Sequence, residues 1–458
     1  MSSSSRRAFL RTGALGAAAG LAVACTQPAP QSAAPTAPPS AGTAAPAPAP
    51  TSAPAAAAQP QPAAAQPTVA QPQPSSAQTQ PQAPAAGQRA LVVLQLSGGH
   101  DGLNAVIPYG DGLYYQLRPQ IGIPADKVLH LDDQIGLHPN LTSFKSLYDQ
   151  GQLAILQGVG YPNPNRSHFR SMEIWHSARP DGPSPDQGWL GAFMSEMYKV
   201  GDSPFECVNF GTSVPQALRT QQAPVAALQD TTSFQFLVDR RLPSMKEPLL
   251  KTFGQVATKP ARKSPATDMV ARNWDATTTG VSALSAVSEK YQPKAQYPNN
   301  PLAKTLQQVA QMLSSDLGTR VVYLQLGGFD THANEKPQHA TLMTQMADSL
   351  AAFQADLDGH GLSDNVVTML FSEFGRRVKE NGSQGTDHGA AGPMFVIGKA
   401  VRGGVYGDYP KLNDLDDGDL KFGIDFRSVY ATVLDGWFNA SSPEVLGGNF
   451  PTLNFLAA

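Results

Sequence analysis

Cysteine is nearly absent from this chain of 458 residues: Cys25 and Cys207 are the only two. A disulfide scaffold is therefore excluded. Glycine and proline are plentiful, at 41 and 40 residues, but follow no three-residue repeat, so a collagen is excluded, and no heptad array points to a coiled coil. Charge is missing over one long stretch, because no Asp, Glu, Lys or Arg lies between Arg11 and Arg89. From Arg89 onward stand all 36 acidic residues and the 33 basic ones less Arg6, Arg7 and Arg11, a formal net charge of −6. A basic excess is what displaces counterions from phosphates, so no nucleic-acid partner is expected.

The first 88 residues read as address and tether. Paired Arg6 and Arg7, then Phe9-Leu10, precede an apolar run from Gly13 to Ala24. That is the layout of a twin-arginine export signal, over about residues 1–25, and it predicts the twin-arginine translocase as a partner. The run is shorter than the roughly twenty residues a membrane-spanning helix needs. Ala22-Val23-Ala24-Cys25 reads either as an ordinary cleavage site or as a lipoprotein box that would tether the chain to a membrane through Cys25. Residues 26–88 are almost entirely Ala, Pro, Gln, Ser and Thr, with 16 of the prolines. So little large apolar surface predicts a disordered linker, extended by its prolines at up to roughly 3 Å per residue. Periplasmic or cell-surface placement is expected.

Residues 89–458 form one α/β domain in this reading. Ala90–Leu96, Leu153–Val159, Arg320–Leu326, Asn365–Phe371 and Met394–Ile397 are near-continuous apolar runs, as strands buried on both faces of a parallel sheet require. Leu342, Met346, Leu350, Phe353 and Leu357 recur at helical spacing between the third and fourth, which predicts a βαβ unit. The weaker pattern over 201–301, with helical candidates at Phe234–Leu250 and Val281–Tyr291, predicts an inserted cap.

Two distant segments share one design. Val92 to Asp101 and Val321 to Asp330 each run an apolar strand into Gly-Gly and then, one residue on, an aspartate. Glycines allow the tight turn, and the carboxylate then projects at the carboxyl end of the sheet, where open α/β folds bind ligands. His332 follows Asp330 by two positions, Glu373 ends the next strand, and Asp387-His388 precedes another. Asp101, Asp330, His332, Glu373, Asp387 and His388 are therefore the expected ligands of one or two divalent ions, Zn²⁺, Mn²⁺, Mg²⁺ or Ca²⁺. Ser167, between Arg166 and His168 after the helix-breaking Asn163-Pro164-Asn165, is the candidate nucleophile, with His168 as its catalytic neighbour. Its alternative role is a plain helix cap. Asn104, Arg166 and Arg376 are expected to meet an anionic substrate, Arg376 together with Arg377, for which a helix-start salt bridge is the alternative. His100 and His138 can face the same crevice, whereas His130, His176, His339 and His360 stand in no constellation.

The stretches Gly98-Gly99-His100-Asp101-Gly102-Leu103-Asn104, Arg166-Ser167-His168-Phe169, Gly327-Gly328-Phe329-Asp330-Thr331-His332, Ser372-Glu373-Phe374-Gly375-Arg376 and Thr386-Asp387-His388-Gly389 together resemble a large, mostly twin-arginine-exported bacterial family, domain of unknown function 1501. That family in turn resembles the alkaline phosphatase and sulfatase superfamily. The resemblance implies a mixed, mostly parallel sheet with helices on both faces, two metal sites at its carboxyl edge, Asp101 as first metal-binding acid and Ser167 as nucleophile. It also implies Asp330 and His332 in the second cluster, with Glu373, Asp387 and His388 completing the ligands. The chain departs from the superfamily pattern in the short Asp330–His332 spacing and in Glu373 standing where an Asp-His pair is common. Cys207 is followed by Val208-Asn209-Phe210, not by the context of a formylglycine sulfatase. The function this implies is hydrolysis of phosphate or sulfate esters; the alternative is an envelope- or carbohydrate-binding protein on the same scaffold.

Overall fold

The structure is a computed structural model that describes residues 89–457 except 183–184, 200–202, 232–242, 260–263 and 316. The export signal, the linker and Cys25 lie outside the described residues. Nine strands form the main sheet: β1 (Ala90–Leu96), β2 (Leu153–Gly160), β3 (Cys207–Phe210), β4 (Ala226–Leu228), β5 (Val321–Leu326), β6 (Val366–Phe371), β7 (Gly392–Ile397), β8 (Gly404–Tyr406) and β9 (Ile424–Asp425). Their spatial order is β8-β2-β7-β6-β1-β5-β3-β4, with β9 also pairing with β2. All pairings are parallel except those of β7, which runs against both β6 and β2.

Side chains alternate across the pleat and feed two cores. Val92, Leu94 and Leu96 of β1 pack in one, Leu91 and Val93 in the other. Among the described residues, the helices that bear on the cores and the site are α1 (Thr142–Asp149), α2 (His168–Ser177), α3 (Trp189–Met197), α4 (Lys246–Thr258), α5 (Pro265–Lys290), α6 (Pro301–Leu313), α7 (Glu335–Gly359) and α8 (Phe426–Ala431). The first core takes Phe144 of α1, Leu306 of α6 and the expected stripe of α7, Leu342 to Leu357. The second takes Trp175 of α2, Phe193 of α3 and Tyr430 of α8. Both faces are thus covered, as strands apolar on both sides demand.

Within the span expected to be an inserted cap, β3 and β4 extend the sheet at one edge. They are four and three residues long, too short to show a period. What remains as an insertion is a proposal for α4 and α5, which pack on each other. Of the helix expected over Phe234–Leu250, residues 234–242 lie outside the described residues, and the helix observed runs Lys246–Thr258. Among the described residues no helix is long and apolar enough to cross a membrane.

The reversal of β7 gathers loops at one edge of the sheet. Its amino end lies where β1, β5 and β6 have their carboxyl ends, so the loop before it joins the loops after them. An isolated bridge between Arg376 and His388 ties the loops after β6 and before β7 together.

Candidate functional site

β1 and β5 are neighbours in register, Leu91 against Val321 through Leu96 against Leu326. Their twin Gly-Gly-x-Asp turns therefore leave the sheet side by side. Gly98 and Gly328 have φ of 122° and 104°, a region closed to most other residues. A Cβ on Gly98 would come within 2.4 Å of the Asp330 backbone nitrogen, so only glycine allows the two turns to touch.

At the open end, Asp330 is half exposed and meets histidines from three segments. Its Oδ1 lies 3.1 Å from Nε2 of His332 and 3.1 Å from Nε2 of His388, and its Oδ2 lies 3.5 Å from Nε2 of His168. The Nε2 atoms of His332 and His388 are 3.0 Å apart. His168, Asp330 and His388 form a candidate three-residue metal site, their donor atoms all within 4.8 Å of one another.

Each ring is held from behind. His388 Nδ1–H donates to the Arg166 carbonyl at 2.8 Å, His168 Nδ1–H donates to Glu373 Oε1 at 2.8 Å, and His332 Nδ1 faces Asp387 Oδ1 at 3.4 Å. A carbonyl and a carboxylate only accept, so a ring that donates from Nδ1 and carries no second proton has its Nε2 lone pair free for a cation beside Asp330. Glu373 is itself fixed by Gly98 N–H at 2.8 Å and by the Ser372 hydroxyl at 3.1 Å. Nε2 of His168 is buried with no hydrogen-bond partner.

These facts fit a cation. Two bonds of about 2.0–2.1 Å at the tetrahedral angle put donor atoms about 3.3 Å apart, close to the 3.0–3.5 Å separations here. Imidazoles anchored through Nδ1 by carbonyl or carboxylate are the usual backing of such ligands. Burial would raise the Asp330 carboxyl, but the Arg376 guanidinium, 2.7 Å away, and His388 outweigh it and hold it down at about 2. Asp330 is thus a carboxylate at any physiological pH.

The structure distributes the remaining expected residues differently. Glu373 and Asp387, expected as ligands, stand behind His168 and His332. His168, expected beside the nucleophile, turns its free nitrogen to Asp330. Arg376 is fully buried, and its N–H groups go to the carbonyls of Gly98, Gly99, Phe329 and Thr386 and to Asp330 Oδ1. It knots the loops together, and its side chain is closed off from solvent. Asn104 is buried as well, accepting from Tyr114 Oη at 2.7 Å and donating to the Ile121 carbonyl. Ser167 is the exposed N-cap residue of α2, and its hydroxyl makes no capping bond. Arg166 spends its guanidinium on Asp417 and Asp419.

Asp101 departs most from expectation. Only 1% exposed, it is paired at 2.5 Å with Arg118, whose other N–H groups donate to the carbonyls of Val378 and Arg377. Burial would raise its carboxyl, yet Arg118 prevails and holds it far below the usual range. Beside it lies Glu335, which burial and the Asp101 charge keep protonated, well above a normal carboxyl, so that the pair shares one proton. His100, His138 and His339 cluster here too; burial first, then one another's charge, lowers His100 and His138 to about 3, while burial lowers His339 to about 4. Arg118, Glu335 and His339 were not singled out in the sequence, because none belongs to a motif and they meet only through the fold.

A family model described as a protein of unknown function (DUF1501) matches residues 88–446. The chain belongs to that family. No curated protein matches this DUF1501 chain. Among solved structures, it is similar to the C-terminal periplasmic domain of EcEptC from Escherichia coli in complex with Zn, at 10% identity and TM-score 0.30, over 68% of this chain and 73% of that one. It is also similar to the lipoteichoic acid synthase LtaP from Listeria monocytogenes, at 8% identity and TM-score 0.34, over 79% and 76%. A third is the PsFucS1 sulfatase from Pseudoalteromonas sp., at 14% identity and TM-score 0.32, over 78% and 68%.

Proposed function

We propose that this protein is an exported hydrolase of phosphate or sulfate esters that works with one divalent ion held by His168, Asp330, His332 and His388. The observation that carries the reading is the set of Nε2 atoms turned on one carboxylate, each ring backed by a carbonyl or carboxylate oxygen. Three nitrogens and one oxygen favour Zn²⁺ over Mg²⁺, Ca²⁺ or Mn²⁺, which prefer oxygen. Asp101 is sealed from solvent against Arg118, which supports one ion here and not two. The ion, when bound, supplies Lewis-acid stabilisation of charge growing on the ester oxygens.

The protein's own part begins with Ser167. Its unpartnered hydroxyl sits at the positive end of α2, next in sequence to the ligand His168. Its oxygen forms a bond to phosphorus or sulfur while the ester bond breaks, and the leaving alcohol takes the serine proton. Water then cleaves the seryl ester. Arg376 holds Asp330 in place, and Glu373 holds His168. Export by the twin-arginine route, with a Cys25 tether, places this chemistry outside the cytoplasm. The test is an aryl phosphate and sulfate panel on metal-loaded protein: Ser167→Ala is expected to lose activity with metal content unchanged. Equal turnover by both proteins removes the serine.

One observation favours a second reading, binding of an envelope glycan without turnover. Phe169, next to His168, is 86% exposed, the layout of a ring that stacks on a sugar face. Glycan binding that Phe169→Ala abolishes, with no ester cleavage by wild type, would establish it.

A further inference from the structure

Two arginines close to the histidine cluster converge on one exposed carboxylate. Arg166 belongs to the segment entering α2, and its carbonyl accepts from His388; Arg377 follows Arg376, and its backbone N–H donates to the Asp387 carbonyl. Both guanidinia reach the tip of a hairpin, Leu415–Asp416 paired with Asp419–Leu420. The two tip residues, Asp417 and Gly418, have φ of 49° and 85°, which suits a two-residue Asp-Gly turn, so the backbone there is unstrained.

The two aspartates of this hairpin differ. Asp419 is buried and takes two bonds from Arg166, at 2.8 and 2.5 Å, which fixes that arginine. Asp417 has a side chain 74% exposed, and one oxygen alone, Oδ2, takes three long bonds: 3.2 and 3.2 Å from Arg166 and 3.3 Å from Arg377. That 3.3 Å bond is the single hydrogen bond of the Arg377 guanidinium among the described residues; its Nε also lies 3.8 Å from Asp419 Oδ1, an ion pair that aims it at the hairpin. Exposed ion pairs of this kind contribute little to stability and are readily exchanged. A planar fork from two arginines is, however, the arrangement that recognises a tetrahedral oxyanion.

We infer that Arg166 and Arg377 form an anion subsite beside the metal site, occupied in the resting protein by the Asp417 carboxylate, which a phosphate or sulfate group of the ligand displaces. This deepens the ester-hydrolase reading and rests on it for the identity of the ligand. Asp417 acts as an internal competitor that lowers affinity for anions and makes the site selective for those carrying more charge than a carboxylate.

Inorganic phosphate is the probe, titrated calorimetrically at low ionic strength into the full chain with metal content measured in parallel. Asp417→Asn keeps a turn residue suited to the same backbone while removing the charge. It is expected to bind phosphate at least fivefold more tightly than wild type, with unchanged melting temperature. Arg377→Gln is expected to weaken binding at least fivefold and to cancel the gain when combined with Asp417→Asn. Phosphate affinity that is the same in wild type, Asp417→Asn and Arg377→Gln overturns the subsite, and if binding then vanishes on metal removal the ester-hydrolase reading still stands. The fivefold effects appearing in protein that takes up no metal would instead uphold the subsite and sink the metal site.

Discussion

Asp101 and Asp330 leave adjacent, in-register strands through the same Gly-Gly-x-Asp turn, and end in opposite circumstances. Asp101 is sealed from solvent against Arg118, whereas the Asp330 side chain is 48% exposed among three imidazoles. A buried guanidinium reaches each, Arg118 for Asp101 and Arg376 for Asp330; what separates them is that the fold closes over the first, while the second stays open to solvent and to His168, His332 and His388. A motif places a carboxylate; its surroundings decide whether that carboxylate supports the structure or awaits a ligand.

The contrast can be broken from either side. Arg118→Met leaves Asp101 buried with no counter-charge and is expected to cost about 3–5 kcal/mol of stability in chemical denaturation, whereas Asp330→Asn, which keeps an oxygen to accept from the buried Arg376 guanidinium at a half-exposed site, is expected to cost less. His388→Ala is expected to lower metal affinity more than 100-fold while leaving the melting temperature of metal-free protein nearly unchanged. Glu373→Gln, which leaves His168 in place but weakens its backing, is expected to lose about 10–100-fold in metal affinity by competition with a chelator.

The buried region also has a signature in pH. His100, His138 and His339 titrate near 6.5 when unfolded and at about 3 to 4 when folded. The unfolded chain therefore binds more protons below pH 6.5, and the stability these rings contribute above that pH is lost as pH falls toward 4, by up to about 1.4 kcal/mol per pH unit for each. Glu335 has the reverse sign: its raised carboxyl favours the folded state at low pH and opposes it as pH climbs past the normal carboxyl range. Denaturation midpoints from pH 7 to 4 measure the slope, and His339→Gln should flatten it.

How much of the molecule was readable from the residues alone divides along the same line. The five long strands are continuous apolar runs, and the α7 stripe has clean helical spacing, so the sheet and a βαβ unit were plain. The reversed direction of β7 was not, since polarity leaves no trace in a buried strand. At the site, Asp330, His332 and His388 stood out through local spacing. Asp101 looked equivalent to Asp330 because the turn is equivalent; its partner Arg118, in Leu117-Arg118-Pro119, carries no local signal. Likewise, Ser167-His168 suggested a nucleophile with its neighbour, and only Glu373, arriving from β6, holds the His168 ring so that its Nε2 faces Asp330.

Metal titration of wild type, Asp330→Asn and Asp101→Asn, read as equivalents of Zn²⁺ bound per chain, tests the central claim most directly. The account predicts one equivalent in wild type, none in Asp330→Asn, and one in whatever Asp101→Asn remains folded. One equivalent retained by Asp330→Asn, or none taken up by wild type, would contradict it.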